Sequence, residues 1–140
     1  MIYIDTSVIV AALTIEISSA QATRWLIAQK PSILLLSPWV STEFSSALGI
    51  KRRQKTMSGD DAATAMAAFK KLVRDCCQVA HVNRSHFDAA TGFLANHELG
   101  LRAGDALHLA IAVDNDASLC TLDRRLLEAA KALGIDAVMP

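Results

Sequence analysis

The sequence predicts an α/β fold with a parallel sheet of five short strands and helices covering both of its faces. Three observations carry this expectation. Five short apolar runs, at residues 2–5, 33–36, 78–82, 118–122 and 136–139, read as buried strands. Segments with helical periodicity lie between them. Strands that alternate with helices imply crossover units, and such units build parallel sheets buried on both faces. No internal repeat, low-complexity tract or linker breaks the pattern, so residues 1–140 are expected to form one domain.

The elements follow in chain order. The first strand runs into Asp5, and a helix is expected to begin near Ser7. Ser37-Pro38 places a capping hydroxyl before a proline at the first helical position, so a helix should run from Pro38 past Ile50. Ser58, with Asp61 three residues on, resembles a capping box. Ala62, Ala65, Met66, Phe69, Leu72 and Val73 then recur at helical spacing and form a one-sided apolar stripe. Phe87, Ala90, Thr91 and Leu94 repeat that spacing in the next helix. Gly100 and Gly104 are expected to bracket a turn, after which Asp105 to Val113 is apolar nearly all round apart from His108. A helix of that kind is buried. Leu126, Ala130 and Leu133 should face inward on the last helix, which Gly134 ends.

Composition narrows the function classes. At 140 residues and 52% hydrophobic, the chain can bury a real core and is not disordered. No apolar run approaches the roughly 20 residues needed to span a bilayer. The start, Met1-Ile2-Tyr3-Ile4-Asp5, has no basic leader and is interrupted by an acid, so no signal peptide is expected. Cys76, Cys77 and Cys120 are an odd number without zinc-finger spacing, which points to a reduced, cytoplasmic setting. The formal charge of zero argues mildly against bulk coating of nucleic acid. Basic residues are nevertheless clustered, at Lys51–Lys55, at Lys70–Arg74 and at Arg124-Arg125. The first two clusters read as solvated helix faces. The third adjoins Asp123.

Chemistry centres on four carboxylates: Asp5, Glu43, Asp105 and Asp123. Each falls where a strand ends or near a helix start. In open parallel sheets, ligands bind beyond the carboxyl ends of the strands, where strand order reverses. If the first and fourth strands are neighbours, all four acids meet at that edge. Crowded like charges repel and raise one another's pKa. A hard divalent cation with oxygen ligands resolves the repulsion. Taken singly, Asp5, Asp105 and Asp123 could be helix caps and Glu43 an exposed helix charge. Taken together, four placements on one edge favour a metal-assisted hydrolase.

Four stretches strengthen this reading: Tyr3-Ile4-Asp5-Thr6-Ser7-Val8, Ser41-Thr42-Glu43-Phe44, Arg102 to Ala110, and Thr121-Leu122-Asp123-Arg124-Arg125-Leu126. They resemble the PIN-domain nucleases, and within that family the VapC-type toxins of toxin–antitoxin pairs. The resemblance implies a PIN-like three-layer sandwich with a central five-stranded parallel sheet flanked by helices. It implies an endoribonuclease that uses Mg²⁺ or Mn²⁺, with Asp5, Glu43, Asp105 and Asp123 as catalytic metal ligands. Asp5 and Asp105 would hold the main ion, and Glu43 and Asp123 would complete the shell directly or through water. Thr6, Ser7 and Thr121 are candidate hydroxyls for orienting the acids or a water, with helix capping or a plain strand hydroxyl as the alternative. Arg102 and Arg124 are candidates for substrate phosphate or for a neighbouring acid.

The other chemistry-bearing side chains carry no pattern. His81, His86, His97 and His108 are scattered; His108, one turn beyond Asp105, reads as a satisfied core histidine before it reads as a ligand. Trp25 and Trp39 read as packing residues. VapC-like proteins are expected to form homodimers and to be silenced by a small antitoxin. Ile15 and Ile17, beside Trp25 and Leu26, offer an apolar patch for a partner helix or a cover for the domain's own core. Competing readings are a phospho-acceptor receiver-like domain, a haloacid-dehalogenase-like phosphatase and a non-catalytic PIN-type module that binds RNA or a partner. A receiver would place a lysine near its fifth strand, and none stands there. A dehalogenase-like enzyme needs a second aspartate two residues after the first, where this chain has Ser7.

Overall fold

The computed structural model describes residues Met1–Pro140. In chain order the elements are β1 (Ile2–Ile4), α1 (Thr6–Leu13), α2 (Ser19–Ala28), β2 (Leu34–Leu36), α3 (Pro38–Arg53), α4 (Gly59–Cys76) and β3 (Gln78–Val79). They continue with α5 (Arg84–Leu94), α6 (Ala103–Asp114), β4 (Ser118–Cys120), α7 (Arg124–Ala132) and β5 (Ala137–Val138). The five strands form one sheet in the order β3-β2-β1-β4-β5, and every pairing is parallel. β1 and β4 are neighbours, in the register Ile2↔Ser118, Tyr3↔Leu119 and Ile4↔Cys120. The chain therefore leaves β1 in one direction to build β2 and β3, then returns to its other side to build β4 and β5. The reversal lies between β1 and β4, the place where such sheets bind ligands. A receiver module has the order 2-1-3-4-5, so the observed order excludes that alternative.

Burial follows the pattern of a sheet covered on both faces. Tyr3, Ile4, Leu36, Leu119 and Cys120 are buried in the three central strands. Helix α6 is buried continuously from Ala106 to Ala112, because it is apolar on every side and packs between α5 and the sheet. No helix is long and apolar enough to cross a membrane.

The structure corrects several expectations. Residues 78–82 and 136–139 were expected as buried strands. Only Gln78–Val79 and Ala137–Val138 pair, and Val79 and Val138 are exposed, because each strand has a neighbour on one side alone. Phe87 and Leu94 were expected on the inward stripe of α5 and are exposed. Ala90 is buried as expected, and His86 joins it on the buried face. His86 turns inward because Nδ1 accepts from the Asn83 N–H at 3.1 Å while Nε2 meets Asp114 Oδ2 at 3.1 Å, which ties α5 to the end of α6. Gly100 is a left-handed residue with φ 61°, but Gly104 lies inside the first turn of α6 and not in a loop. Helix α6 accordingly begins two residues before Asp105.

Candidate metal centre

Asp5 follows β1 directly, and its N–H still bonds Cys120 O across the sheet at 2.9 Å. It is also the N-cap of α1, with Oδ2 accepting from the Ser7 N–H at 3.3 Å. The capping reading of Asp5 is therefore correct, and it does not compete with a site role. Two hydroxyls converge on the same oxygen: Ser7 Oγ donates at 2.5 Å and Thr121 Oγ1 at 2.8 Å. Each hydroxyl also accepts a main-chain N–H from the loop after β4, Ser7 from Leu122 at 2.9 Å and Thr121 from Asp123 at 3.0 Å. Ser7 and Thr121 thus stitch the end of β4 to the end of β1 and fix Asp5 between them. What the structure shows of Ser7 and Thr121 is this bonding to Asp5.

Glu43 arrives from the second turn of α3. Its Oε2 accepts from Thr6 Oγ1 at 2.5 Å and lies 2.7 Å from His108 Nε2. The same Nε2 is 3.1 Å from Asp5 Oδ1. The ligand atoms of Asp5, Glu43 and His108 all lie within 4.8 Å of one another. Burial pushes Glu43 upward, but the His108 hydrogen bond and charge and the Thr6 hydroxyl outweigh it, and the carboxyl is held below its usual range. His108 shows the converse. Burial pushes it down, yet Glu43 and the charges of Asp5 and Asp105 raise it above the ordinary imidazole value.

Behind His108 runs a buried polar chain. Tyr3 Oη lies 2.9 Å from His108 Nδ1 and 2.7 Å from Ser37 Oγ. Ser37 sits at the N-cap of α3 as expected, but its hydroxyl serves Tyr3 and makes no capping bond. Both hydroxyls can donate in either direction, so the chain satisfies His108 whether Nδ1 carries a proton or not.

The other two acids are held differently. Asp105 Oδ2 accepts from the Arg102 N–H at 2.9 Å, within the first turn of α6. Burial raises Asp105 above the usual carboxylate range, and the charges of Asp123 and Asp5 add to the rise. Asp123 is the N-cap of α7, and its Oδ1 accepts from the N–H groups of Arg125 at 2.8 Å and Leu126 at 3.2 Å. Electrostatic influence thus links Asp105 with both Asp5 and Asp123. Arg102 and Arg124 are exposed at the rim, and neither forms an ion pair.

The expectation that His108 is a satisfied core histidine is half right. It is buried and fully bonded, yet what bonds it is the acid cluster. Sequence reasoning missed it, together with Tyr3, Ser37 and Trp39. The available signal was spacing: His108 lies three residues beyond Asp105 and so on the same helix face.

The family model for the PIN domain matches residues 2–132. The chain belongs to the PIN-domain family. Solved structures share its fold at low identity. VapC20 of Mycobacterium tuberculosis, described as a sarcin–ricin loop cleaving toxin, is 23% identical over 100% of both chains, with TM-score 0.77. FitAcB from Neisseria gonorrhoeae is 14% identical over 98% of this chain and 96% of the other, with TM-score 0.68. VapBC2 from Rickettsia felis, bound to a DNA fragment from its promoter, is 13% identical over 99% and 98%, with TM-score 0.66. No curated protein matches the sequence.

Proposed function

We propose that this PIN domain is a metal-dependent endoribonuclease that hydrolyses RNA phosphodiester bonds as the toxin of a VapC-like toxin–antitoxin pair. The observation that carries the reading is the set of oxygen donors at the β1/β4 edge. Asp5 and Glu43 are oriented by three hydroxyls and one imidazole, and Asp105 feels the charges of Asp5 on one side and Asp123 on the other. Carboxylate and hydroxyl oxygens suit Mg²⁺ or Mn²⁺, not a soft ion. Asp5, Glu43, Asp105 and Asp123 would hold the ion. His108 keeps its donor nitrogen on two carboxylates and serves as their orienter. When bound, the ion supplies an activated water and polarises the phosphoryl oxygen. Arg102 and Arg124, free at the rim, engage flanking phosphates.

The test uses purified protein with tRNA and ribosomal RNA. Cleavage should require Mg²⁺ or Mn²⁺ and vanish in Asp5→Asn, whose circular dichroism stays unchanged. Cleavage by Asp5→Asn at the wild-type rate removes the assignment of Asp5.

A cytoplasmic antitoxin is the partner this reading implies, alongside a second copy of the chain in a homodimer. Ile15 and Ile17 are 97% and 106% exposed, so they do not cover the domain's own core. Ile15 borders a cavity of about 340 Å³ lined by Ala12, Leu13, Met57 and Ala65, with Lys51 and Asp61 at its margin, and Ile17 follows it two residues on. An amphipathic antitoxin helix fits such a groove. Ile17→Asp should weaken capture of the antitoxin and leave RNA cleavage intact; unchanged capture and unchanged dimerisation would discard the patch.

A further inference from the structure

The only buried side-chain polar atom without a hydrogen-bond partner is Nε1 of Trp39. Sealing a donor away from water without a partner is destabilising, so its placement calls for a reason. Trp39 is the second residue of α3, and Glu43 follows four residues later on the same helix face. Helical side chains lean toward the N-terminus, which carries Glu43 back toward the indole.

Gly104 completes the arrangement from α6. A Cβ at this position would lie 2.7 Å from Glu43 Oε1, 3.6 Å from Trp39 Nε1 and 3.7 Å from Trp39 Cζ2. The indole and the free oxygen of Glu43 therefore share the space over Gly104. The backbone there is ordinary helix and has no need of glycine; positive φ occurs among glycines only at Gly100 and Gly134. What needs glycine is the carboxylate. Glu43 Oε2 is committed to Thr6 and His108, whereas Oε1 has only this slot.

We propose that Trp39 and Gly104 are positioning residues for Glu43: Gly104 leaves the room for Oε1, and the Trp39 N–H bonds that oxygen once the carboxylate turns to a divalent cation. The inference rests on the metal-dependent reading above and adds the groups that set where Glu43 works. It also explains why an indole N–H is stored beside a carboxylate without being spent on another acceptor.

The experiment titrates Mg²⁺ alone into the ¹⁵N-labelled full chain. With two tryptophans there are two indole resonances, and Trp39→Phe assigns them by deletion. The Trp39 indole proton should move downfield with Mg²⁺ while that of Trp25 stays. Trp39→Phe should keep a metal-free melting temperature near wild type, since the donor it removes has no partner, whereas Gly104→Ala should lower it, since Oε1 must move while Oε2 is held by Thr6 and His108. Both should bind Mg²⁺ roughly tenfold more weakly by calorimetry. If Mg²⁺ raises the wild-type melting temperature while the Trp39 resonance stays still, or if Trp39→Phe binds Mg²⁺ as tightly as wild type, the positioning role is wrong and the metal site stands. If wild type shows neither a melting shift nor a resonance change, both readings fall.

Discussion

The two halves of the acid cluster are built on opposite principles. Asp5 and Glu43 are held mainly by side chains: Ser7, Thr121, Thr6 and His108 aim hydroxyl or imidazole hydrogens at them, and Asp5 adds one main-chain bond as the N-cap of α1. Asp105 and Asp123 are held by main-chain N–H groups at the starts of α6 and α7. Main-chain donors come with any helix start and favour a negative charge there. Side-chain donors must be supplied residue by residue. One half of the site is therefore a product of topology, and the other depends on individual residue identities. Substitutions around the cluster should separate them.

The largest separation should come from His108. It is buried and touches both Asp5 and Glu43, with Tyr3 behind it. His108→Leu removes three contacts and leaves the two carboxylates facing each other without the donor that bridges them, although Ser7, Thr121 and Thr6 still bond them singly. Breaking such a buried charged network costs about 3 kcal/mol. Urea unfolding without metal should show that loss, and a stability equal to wild type would mean that the ring holds nothing together. Thr6→Val is the intermediate case. It deletes the short bond to Glu43 and should lower stability by about 1.5 kcal/mol, in the range for hydrogen bonds to charged groups, and cleavage by roughly tenfold. The matched change in the other half is Arg102→Ala. Asp105 is bonded to the Arg102 main chain and not to its side chain, so unfolding should not change measurably. An Arg102→Ala protein that loses as much stability as Thr6→Val would erase the distinction between the halves.

The same distinction explains what could be read from the sequence. The topology half was legible. Strand ends and helix starts follow from apolar runs and caps, and Asp5, Asp105 and Asp123 sit on those boundaries. The adjacency of β1 and β4, on which convergence depends, required coordinates to establish. The side-chain half was only partly legible. Thr6, Ser7 and Thr121 stood out because they adjoin the acids in sequence. His108, Tyr3 and Ser37 did not, because a histidine in an apolar helix, a tyrosine in a strand and a serine before Pro38 each have an ordinary explanation. Their joint role appears only when elements 34 and 105 residues apart meet in space. The edge strands were overestimated for a related reason: apolar residues mark a strand, but the number of its neighbours decides whether it is buried.

The smallest expected effect is a pH dependence, and it reports on the side-chain half. His108 is raised in the folded, metal-free protein, so its contribution to stability is complete below about 6.5, the ordinary imidazole value, and is lost as pH rises through the folded value. Asp105 is also raised and acts in the same direction, favouring the fold when protonated and less so as pH increases. Glu43 is lowered, so its contribution is present above its ordinary value of 4.5 and is lost only toward more acid conditions. Above its ordinary range Glu43 is constant, while His108 loses its contribution as pH rises through its folded value; the fall that Asp105 contributes starts lower, from the ordinary carboxylate value of 3.8. The metal-free melting temperature should therefore fall by a few degrees across about pH 6 to 8, in proportion to about 1 kcal/mol for a domain of this size. Mg²⁺ offsets the carboxylate repulsion that His108 no longer relieves, so its stabilising effect should be greater at pH 8 than at pH 6. His108→Leu should flatten most of the metal-free slope. A slope unchanged in that variant would mean that His108 does not carry it, and the side-chain half would lose its pH signature.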